Sequence, residues 1–213
     1  MTKFDYTTIE NFMLDKMNDS THDKHHIYRV LNAALDIAKY EANVDMDILT
    51  TACLLHDIGR DAQFADPTVC HAKAGAEMAY DFLLLQGWQP EMALHVRDCI
   101  SAHRFRGDNA PQTVEAKILF DADKLDVTGA IGIARTLVYE GQVSGHIYTM
   151  EDGKVSTQSK TGDTISFVQE YNHKLKHIHK TMYTARAKEI AAKRQAAAEA
   201  FYNALLEEIA YES

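Results

Sequence analysis

Cysteine, proline and glycine are scarce in this chain, and each scarcity narrows the classes of protein to which the chain can belong. The three cysteines, Cys53, Cys70 and Cys99, are an odd number at spacings that match no zinc-ribbon or CxxC pattern. We therefore expect a protein of a reducing compartment. Only 3 prolines and 10 glycines occur among 213 residues, which favours a mostly helical chain because both residues disfavour helix interiors.

Long apolar runs and an excess of basic charge are also missing. No apolar run approaches the roughly 20 residues that a membrane span needs, and residues 1–6 lack the charged start and apolar core of a signal peptide. We expect a cytoplasmic protein that does not bind membranes. Lys and Arg number 22 against 31 Asp and Glu, a formal net charge of −9. We expect no nucleic-acid partner, since binding to a phosphate backbone depends on clustered cations.

The composition is otherwise that of an ordinary globular protein, with 46% hydrophobic and 25% charged residues. The length suits a single domain over residues 1–213, in which we expect the helices from about residue 165 onward to pack on the rest. The sequence leaves a homo-oligomer open.

Apolar residues recur at three- and four-residue steps through most of the chain, which predicts an all-α bundle of roughly eight helices. Residues 48–55 are apolar almost throughout and indicate a buried central helix. Residues 59–69 are predicted to be a loop. The helical pattern covers residues 7–18, 25–40, 48–55, 70–86, 91–102, 113–139, with an interruption near Gly129 and Gly132, and 166–209.

Residues 141–164 break this pattern with four glycines, one of them in an Asp152-Gly153 pair. The Asp-Gly pair favours a small hairpin, whereas the glycine content is equally typical of an irregular segment. A long excursion of this kind in a compact domain is either a lid or a disordered loop. The sequence leaves both open.

A histidine and an aspartate, His56 and Asp57, stand side by side where the buried central helix ends. Adjacent helical residues differ by about 100° in direction, so both side chains reach one point only if it lies beside the helix. A bound cation suits such a point. An isolated pair of this kind is, however, more often a helix cap next to a buried structural histidine. The pair by itself therefore leaves both interpretations open.

Two further residues extend the pair to an ordered pattern of histidine, histidine-aspartate and aspartate. His26 lies in the first turn of a predicted helix, and Asp123 lies on a second hydrophobic helix. Two imidazoles and two carboxylates suit Mn²⁺, Fe²⁺, Mg²⁺ or Ni²⁺ better than a structural Zn²⁺. His25 is an alternative to His26, although the helical phase of Arg29 favours His26.

Three short motifs around these residues resemble the HD-domain superfamily of metal-dependent phosphohydrolases. Further similarity extends over about residues 7–210 and is to a small bacterial branch, the YpgQ/YedJ-like proteins. The three motifs are His26-Ile27-Tyr28-Arg29-Val30, Leu55-His56-Asp57-Ile58-Gly59 and Asp121-Ala122-Asp123-Lys124-Leu125-Asp126, and the further similarity includes His71 with Ala74-Gly75-Ala76, Ile100-Ser101-Ala102-His103 and residues 129–135.

The resemblance implies a helical bundle that holds one divalent metal ion and cleaves a phosphate ester or anhydride. The implied ligands are His26, His56, Asp57 and Asp123. The implied ion is Mn²⁺ first, with Mg²⁺, Ni²⁺ or Fe²⁺ as alternatives. In the resembled branch the implied reaction converts nucleoside triphosphates to monophosphate and pyrophosphate, so a small phosphorylated molecule, a nucleotide, is the expected partner.

Three residues around these motifs are candidates for catalytic roles. Asp57 is expected to act as a ligand and as a proton acceptor, and Lys124 is expected to point at a phosphate. Asp61 is the candidate that orients or deprotonates the attacking water, unless it caps the following helix.

Five residues are candidates for binding the substrate. Two of them, His71 and His103, would bind phosphate or a second metal ion, or would serve as buried structural histidines. Asp126 would orient a ligand or a lysine from the same helix face. The full set is Arg29, Arg60, His71, His103 and Asp126, with Arg104 and Arg106 as further basic residues for phosphate.

Other phosphohydrolase activities and a role without turnover stay open. Alarmone hydrolases carry a Glu-Asp pair where this chain has Arg60 and Asp61, which argues against that activity. A nucleotide monophosphatase would need a pocket that closes on one phosphate, a feature the sequence does not reveal. The alternative from another class is a metal- and nucleotide-binding sensor, and the presence of all four ligands argues against it.

Overall fold

Helices make up most of the chain, as the periodicity predicts. The computed structural model describes residues 6–17, 24–104, 109–143, 145–158 and 165–210. The helices in these ranges are α1 (Tyr6–Lys16), α2 (Lys24–Ala38), α3 (Met46–Leu55), α4 (Arg60–Ala65), α5 (His71–Leu85), α6 (Pro90–Ala102), α7 (Val114–Leu125), α8 (Gly129–Gln142), α9 (Phe167–Glu170) and α10 (Ala185–Ile209). A π-helical turn, Tyr171–Leu175, and a 3₁₀ turn, Ile178–Thr181, lie between α9 and α10. The all-α prediction is confirmed.

The chain divides into two compact units, residues 1–123 and residues 124–213. The arrangement of the whole chain as a single domain, with the C-terminal helices packed on the rest, stays a prediction. None of the helices in the described ranges is long and apolar enough to cross a membrane.

Helix α3 is the centre of the first unit, where it packs against α1, α2 and α6. The helix is capped by Asp45, the residue before its first turn, whose carboxylate accepts hydrogen bonds from the backbone N–H groups of Asp47 and Ile48. It is buried on most sides, as its near-continuous apolar sequence predicts. Because its C-terminal end is also buried, His56 and Asp57 emerge inside the unit rather than at its surface.

Helix α4 lies within residues 59–69, where the sequence predicts a loop. A six-residue helix shows too little of its period to be recognised from apolar spacing. Its start is held against α5 by a direct contact between two glycine backbones. A Cβ atom added at Gly59 would lie 2.3 Å from the carbonyl oxygen of His71 and 2.5 Å from the backbone nitrogen of Gly75.

The second unit is built around α8, α9 and α10. Tyr171 stacks on Tyr202 with ring centroids 4.0 Å apart, and both pack in an apolar cluster with Phe167. The predicted interruption near Gly129 is confirmed, since α7 ends at Leu125 and α8 begins at Gly129. Gly129 has a φ of 63°, a conformation that glycine adopts without the steric cost of a side chain.

A small hairpin forms in the excursion between α8 and α9, one of the two structures that the sequence leaves open there. Its strands, β1 (Met150–Glu151) and β2 (Lys154–Val155), are antiparallel. Asp152 and Gly153 form the turn with φ values of 49° and 74°, as a tight type I′ turn requires. Residue 144 and residues 159–164 of the excursion lie outside the described residues, so the choice between a lid and a disordered loop stays open.

We predict that Gly59→Ala destabilises the protein by about 1–3 kcal/mol, because the new methyl group would overlap backbone atoms that have no room to move. The matched control is Gly141→Ala, at an exposed position in α8 where an added Cβ meets nothing within 4 Å. The control should be neutral or stabilising by up to about 1 kcal/mol, since alanine favours the helix. Urea unfolding of both variants measures the difference, and equal midpoints would contradict the prediction.

Candidate metal centre

The four predicted metal ligands come together in the first unit. His56 and Asp57 follow the end of α3, His26 lies in the first turn of α2, and Asp123 lies near the end of α7. The side chains of the first three are almost fully buried, and Asp123 is half-buried. His25 is exposed, which favours His26 over its neighbour as the predicted ligand.

The ligand atoms of these residues are close enough to share one ion. The Nε2 atom of His26 lies 3.3 Å from Nε2 of His56, 3.5 Å from Oδ2 of Asp57 and 3.4 Å from Oδ1 of Asp123. His56 Nε2 lies 3.7 Å from Asp57 Oδ2 and 4.0 Å from Asp123 Oδ1. Two ligands that each lie about 2.1 Å from a shared ion are roughly 3.0–3.5 Å apart at angles of about 90–110°. The donor set therefore fits a divalent cation with little adjustment.

A backbone hydrogen bond sets the orientation of the His56 ring. His56 Nδ1 lies 2.8 Å from the carbonyl oxygen of Cys53. Because a carbonyl only accepts, Nδ1 must carry the proton, and Nε2 then presents its lone pair to the other ligands. This is the arrangement in which a histidine binds a metal through Nε2.

A second group of side chains meets the other oxygen of Asp57. Asp57 Oδ1 lies 3.5 Å from Nε2 of His71 and 3.6 Å from Nε2 of His103, and all three residues are buried. His103 Nδ1 donates to the carbonyl oxygen of Ile100 at 2.6 Å, and His71 Nδ1 lies 2.7 Å from Oε1 of Gln63. The structure thus brings both predicted histidines to the site. Their geometry is compatible with a second cation, so the choice between phosphate and metal binding stays open.

Two arginines flank this second group. Arg60 Nε donates to Asp57 Oδ1 at 2.9 Å, and Arg104 Nη1 lies 3.3 Å from His71 Nδ1. Arg60 is the first residue of α4, so the short helix that the sequence does not reveal is what places this guanidinium beside the aspartate. The guanidinium charges sit where an anionic group approaching Asp57 would meet them.

Burial sets the protonation of the site. It lowers the pKa of His56 to about 4, and burial together with the Arg60 charge lowers the pKa of His71 to about 3. Both rings are therefore neutral at pH 7 and keep lone pairs available for a cation. Burial also opposes ionisation of Asp57, but the charge of His56 when protonated and the Arg60 guanidinium hold the pKa of Asp57 well below its usual range.

Four other predicted site residues lie on α2, on α4 and at the end of α7. Asp61 is exposed in the first turn of α4, and Arg29 is half-buried on α2. Lys124 and Asp126 belong to the second unit, where Asp126 is buried and accepts a hydrogen bond from Arg135 Nη1 at 2.5 Å. The roles given to these four residues stay predictions. Arg106 lies outside the described residues.

Sequence reasoning missed Gln63, whose side chain contacts His71. Its only mark in the sequence is its place three residues after Arg60, and this spacing is informative only once residues 60–65 are known to be helical. The hydrogen bonds to the carbonyl groups of Cys53 and Ile100 could not be predicted either, since every residue type carries the same backbone acceptor.

Comparison with known proteins gives consistent matches along the chain. A model of the HD domain family matches residues 24–128. The chain is 31% identical over 192 residues to the protein YpgQ of Bacillus subtilis (strain 168), a match that covers 88% of this chain and 83% of YpgQ. The crystal structure of YpgQ in complex with ADP superposes with a TM-score of 0.74 at 28% identity, covering 96% of this chain and 98% of that one. An HD-superfamily hydrolase from Bacillus thuringiensis superposes with a TM-score of 0.70 at 27% identity, covering 95% of each chain.

We predict that Mn²⁺ raises the unfolding midpoint of metal-stripped protein and that His26→Ala abolishes this rise. A ligand at a hundredfold excess over its dissociation constant stabilises a protein by about 2.7 kcal/mol. The matched control is His25→Ala, which removes an exposed imidazole one residue away and should keep the full response. Thermal unfolding with and without Mn²⁺ measures the effect. A lost response in the His25 variant and a retained one in the His26 variant would reverse the assignment.

We also predict that the metal-stripped protein loses stability as the pH falls from 6.5 towards 4. The folded-state pKa of His56 lies at about 4, below its ordinary value of 6.5, so the unfolded chain binds more protons in this window and acid favours unfolding. Urea unfolding at a series of pH values measures the slope, which should be smaller in His56→Asn than in an exposed His25→Asn control. An equal slope in the two variants would show that His56 does not contribute.

Proposed function

The chain belongs to the HD-domain superfamily of metal-dependent phosphohydrolases, and from that membership we propose that it converts nucleoside triphosphates, including deoxynucleoside triphosphates, to monophosphate and pyrophosphate. The observation that carries the proposal is the buried Asp57 carboxylate, which faces two further proposed metal ligands, His26 and His56, with one oxygen and the Arg60 guanidinium with the other. A metal site beside a guanidinium suits a substrate that is both a metal ligand and a polyanion.

A nucleotide is the substrate class that the comparisons support. The solved structure of YpgQ contains ADP, and YpgQ resembles this chain over nearly its full length. ADP carries the base, sugar and phosphoanhydride of a nucleoside triphosphate, so a related site here would accept the same groups. The acidic chain has no general attraction for polyanions, which makes local cations at the site the necessary source of phosphate binding.

The metal ion would be held by His26, His56, Asp57 and Asp123. When bound, a divalent cation supplies a polarised phosphoryl oxygen and a water of lowered pKa. We propose Mn²⁺ as the ion, with Mg²⁺, Ni²⁺ or Fe²⁺ as alternatives, because the donor set mixes two nitrogens with two carboxylates. His56 contributes to this site by holding its Nε2 lone pair inward, since Nδ1–H is committed to the Cys53 carbonyl.

The charged residues around Asp57 would orient the substrate. Arg60 is held in place by its hydrogen bond to Asp57, so its remaining N–H groups can donate to phosphate oxygens without a large loss of side-chain entropy. Arg104, beside His71 and two residues after the end of α6, would do the same. Asp61 lies one residue after Arg60 and is exposed, which suits a carboxylate that orients or deprotonates water.

Lys124 and Asp126 complete the proposed assignment as a phosphate-binding cation and as an orienting carboxylate. Asp126 is buried and forms an ion pair with Arg135. A cytoplasmic location follows from the cysteine usage and remains part of the proposal, and a homo-oligomer stays open.

We predict that metal-stripped protein resupplied with Mn²⁺ releases monophosphate and pyrophosphate from nucleoside triphosphates, and that Asp57→Ala reduces the rate by at least about 100-fold. The carboxylate is shared by the metal ligands and the guanidinium, so its loss removes both. The matched control is Asp81→Ala, at an exposed position of α5, which should retain full activity.

Product analysis over a panel of triphosphates, monophosphates and alarmone distinguishes the alternatives. Inorganic phosphate released from monophosphates alone would indicate a nucleotidase. Cleavage of alarmone alone would indicate an alarmone hydrolase, and tight metal binding without turnover would indicate a sensor.

A further inference from the structure

His71 is held by Gln63, a residue outside the sequence motifs described above. Its Nδ1 atom lies 2.7 Å from Oε1 of Gln63, a distance typical of a good hydrogen bond. Arg104 Nη1 is farther from the same atom, at 3.3 Å, and on the other side of the ring Nε2 lies 3.5 Å from Oδ1 of Asp57. The Nε2 atom is buried and makes no hydrogen bond in the structure. The Gln63 contact is therefore the shortest polar contact of this imidazole.

The chemistry of the Gln63 contact fixes the place of the ring proton. An amide oxygen only accepts, so His71 Nδ1 carries the hydrogen that it donates to Oε1. A guanidinium only donates, so the longer 3.3 Å contact with Arg104 is not a hydrogen bond in this tautomer. In a neutral imidazole the other nitrogen then bears a lone pair. That nitrogen, Nε2, points at the carboxylate of Asp57, so an acceptor faces an acceptor across 3.5 Å. A cation or a donating water between the two atoms would turn this arrangement into a favourable one.

Helix packing is what allows Gln63 to reach His71. The contact between the Gly59 and Gly75 backbones fixes the start of α4 against the first turns of α5. Gln63 lies one turn into α4, and His71 is the first residue of α5. The hydrogen bond thus joins two helices whose backbones already touch, and it is half-shielded from water.

We propose that Gln63 is a positioning residue that holds the Nδ1–H tautomer of His71 and so directs the Nε2 lone pair at Asp57. His71 then acts at the site as an acceptor, and it does not donate to phosphate oxygens. This step deepens the proposed function, since it assigns phosphate binding to the arginines rather than to this histidine. The assignment of the tautomer itself does not depend on which substrate is cleaved.

The opposite tautomer makes a clear alternative. If the Gln63 amide were rotated by 180°, its NH₂ group would donate to Nδ1, and Nε2 would carry the proton. The Nε2–H group would then face Asp57 Oδ1 at 3.5 Å, beyond a good hydrogen bond, and two nitrogens would lie 2.7 Å apart at Gln63. A separation of 2.7 Å suits an N–H···O bond to the amide oxygen and favours the first arrangement, and the two differ in which ring nitrogen is protonated.

Nitrogen-15 NMR of histidine-labelled, metal-free protein tests the proposal directly. A His71→Gln variant identifies the signals of this ring among the 11 histidines. At neutral pH we expect the Nδ1 signal of a protonated nitrogen and the Nε2 signal of an unprotonated one. The reverse pattern in the wild-type protein would overturn the proposal, whatever the protein turns out to hydrolyse.

Three variants then test the role of Gln63. Gln63→Met keeps the length of the side chain and removes the acceptor, so His71 should lose its single tautomer. Turnover should fall by about tenfold or more, as expected when a residue that orients a ligand is lost, while KM changes less. Gln63→Glu keeps an acceptor and should restore both the tautomer and turnover. Gln86→Met, at the exposed end of α5, is the matched control and should behave like the wild type.

The outcomes separate this proposal from the proposed function. An unchanged His71 tautomer in Gln63→Met would overturn the positioning role. The expected tautomer in a protein that releases no pyrophosphate from any nucleotide would support the role of Gln63 and contradict the proposed reaction.

Discussion

The Asp57 carboxylate is the group on which the rest of the site depends. It is buried, yet each of its oxygens meets a separate set of polar atoms. Oδ2 faces the imidazoles of His26 and His56, whereas Oδ1 faces Arg60 and the second pair of histidines. A buried charge is costly unless it is paired. The first unit therefore has to surround Asp57 with compensating polar groups, which are the Arg60 guanidinium of α4 and imidazoles from α2, from α5 and from the ends of α3 and α6.

Three of the four histidines around the carboxylate are oriented by a hydrogen bond at Nδ1, the ring nitrogen that does not face Asp57. His56 and His103 donate from Nδ1 to backbone carbonyls three residues earlier in their own helices, and His71 is held by the Gln63 side chain. The first two bonds require no particular residue type at the acceptor position, because a backbone carbonyl three residues earlier is available at any helix end. The third depends on a particular residue on a different helix, so His71 is the ring whose orientation a single substitution can change.

The sequence predicts the convergence of the candidate ligands better than the hydrogen bonds that orient them. The order of His26, His56-Asp57 and Asp123 along amphipathic helices was enough to predict that these side chains converge, and they do. Helix α4 was not predictable, because six residues carry too little periodicity. The contact of Gln63 with His71 followed from that helix and was hidden with it. The convergence of these side chains can thus be predicted from residue type and helical phase, whereas a supporting hydrogen bond depends on packing that no local pattern encodes.

The backbone contact between Gly59 and Gly75 has a consequence for motion. Two helices in direct backbone contact slide or tilt only together, since no flexible side chain lies between them to absorb a displacement. Helix α4 carries Arg60 and α5 begins with His71. A bound molecule that displaces the Arg60 guanidinium would therefore also displace the His71 imidazole. The two groups that face Asp57 Oδ1 from α4 and α5 then move together.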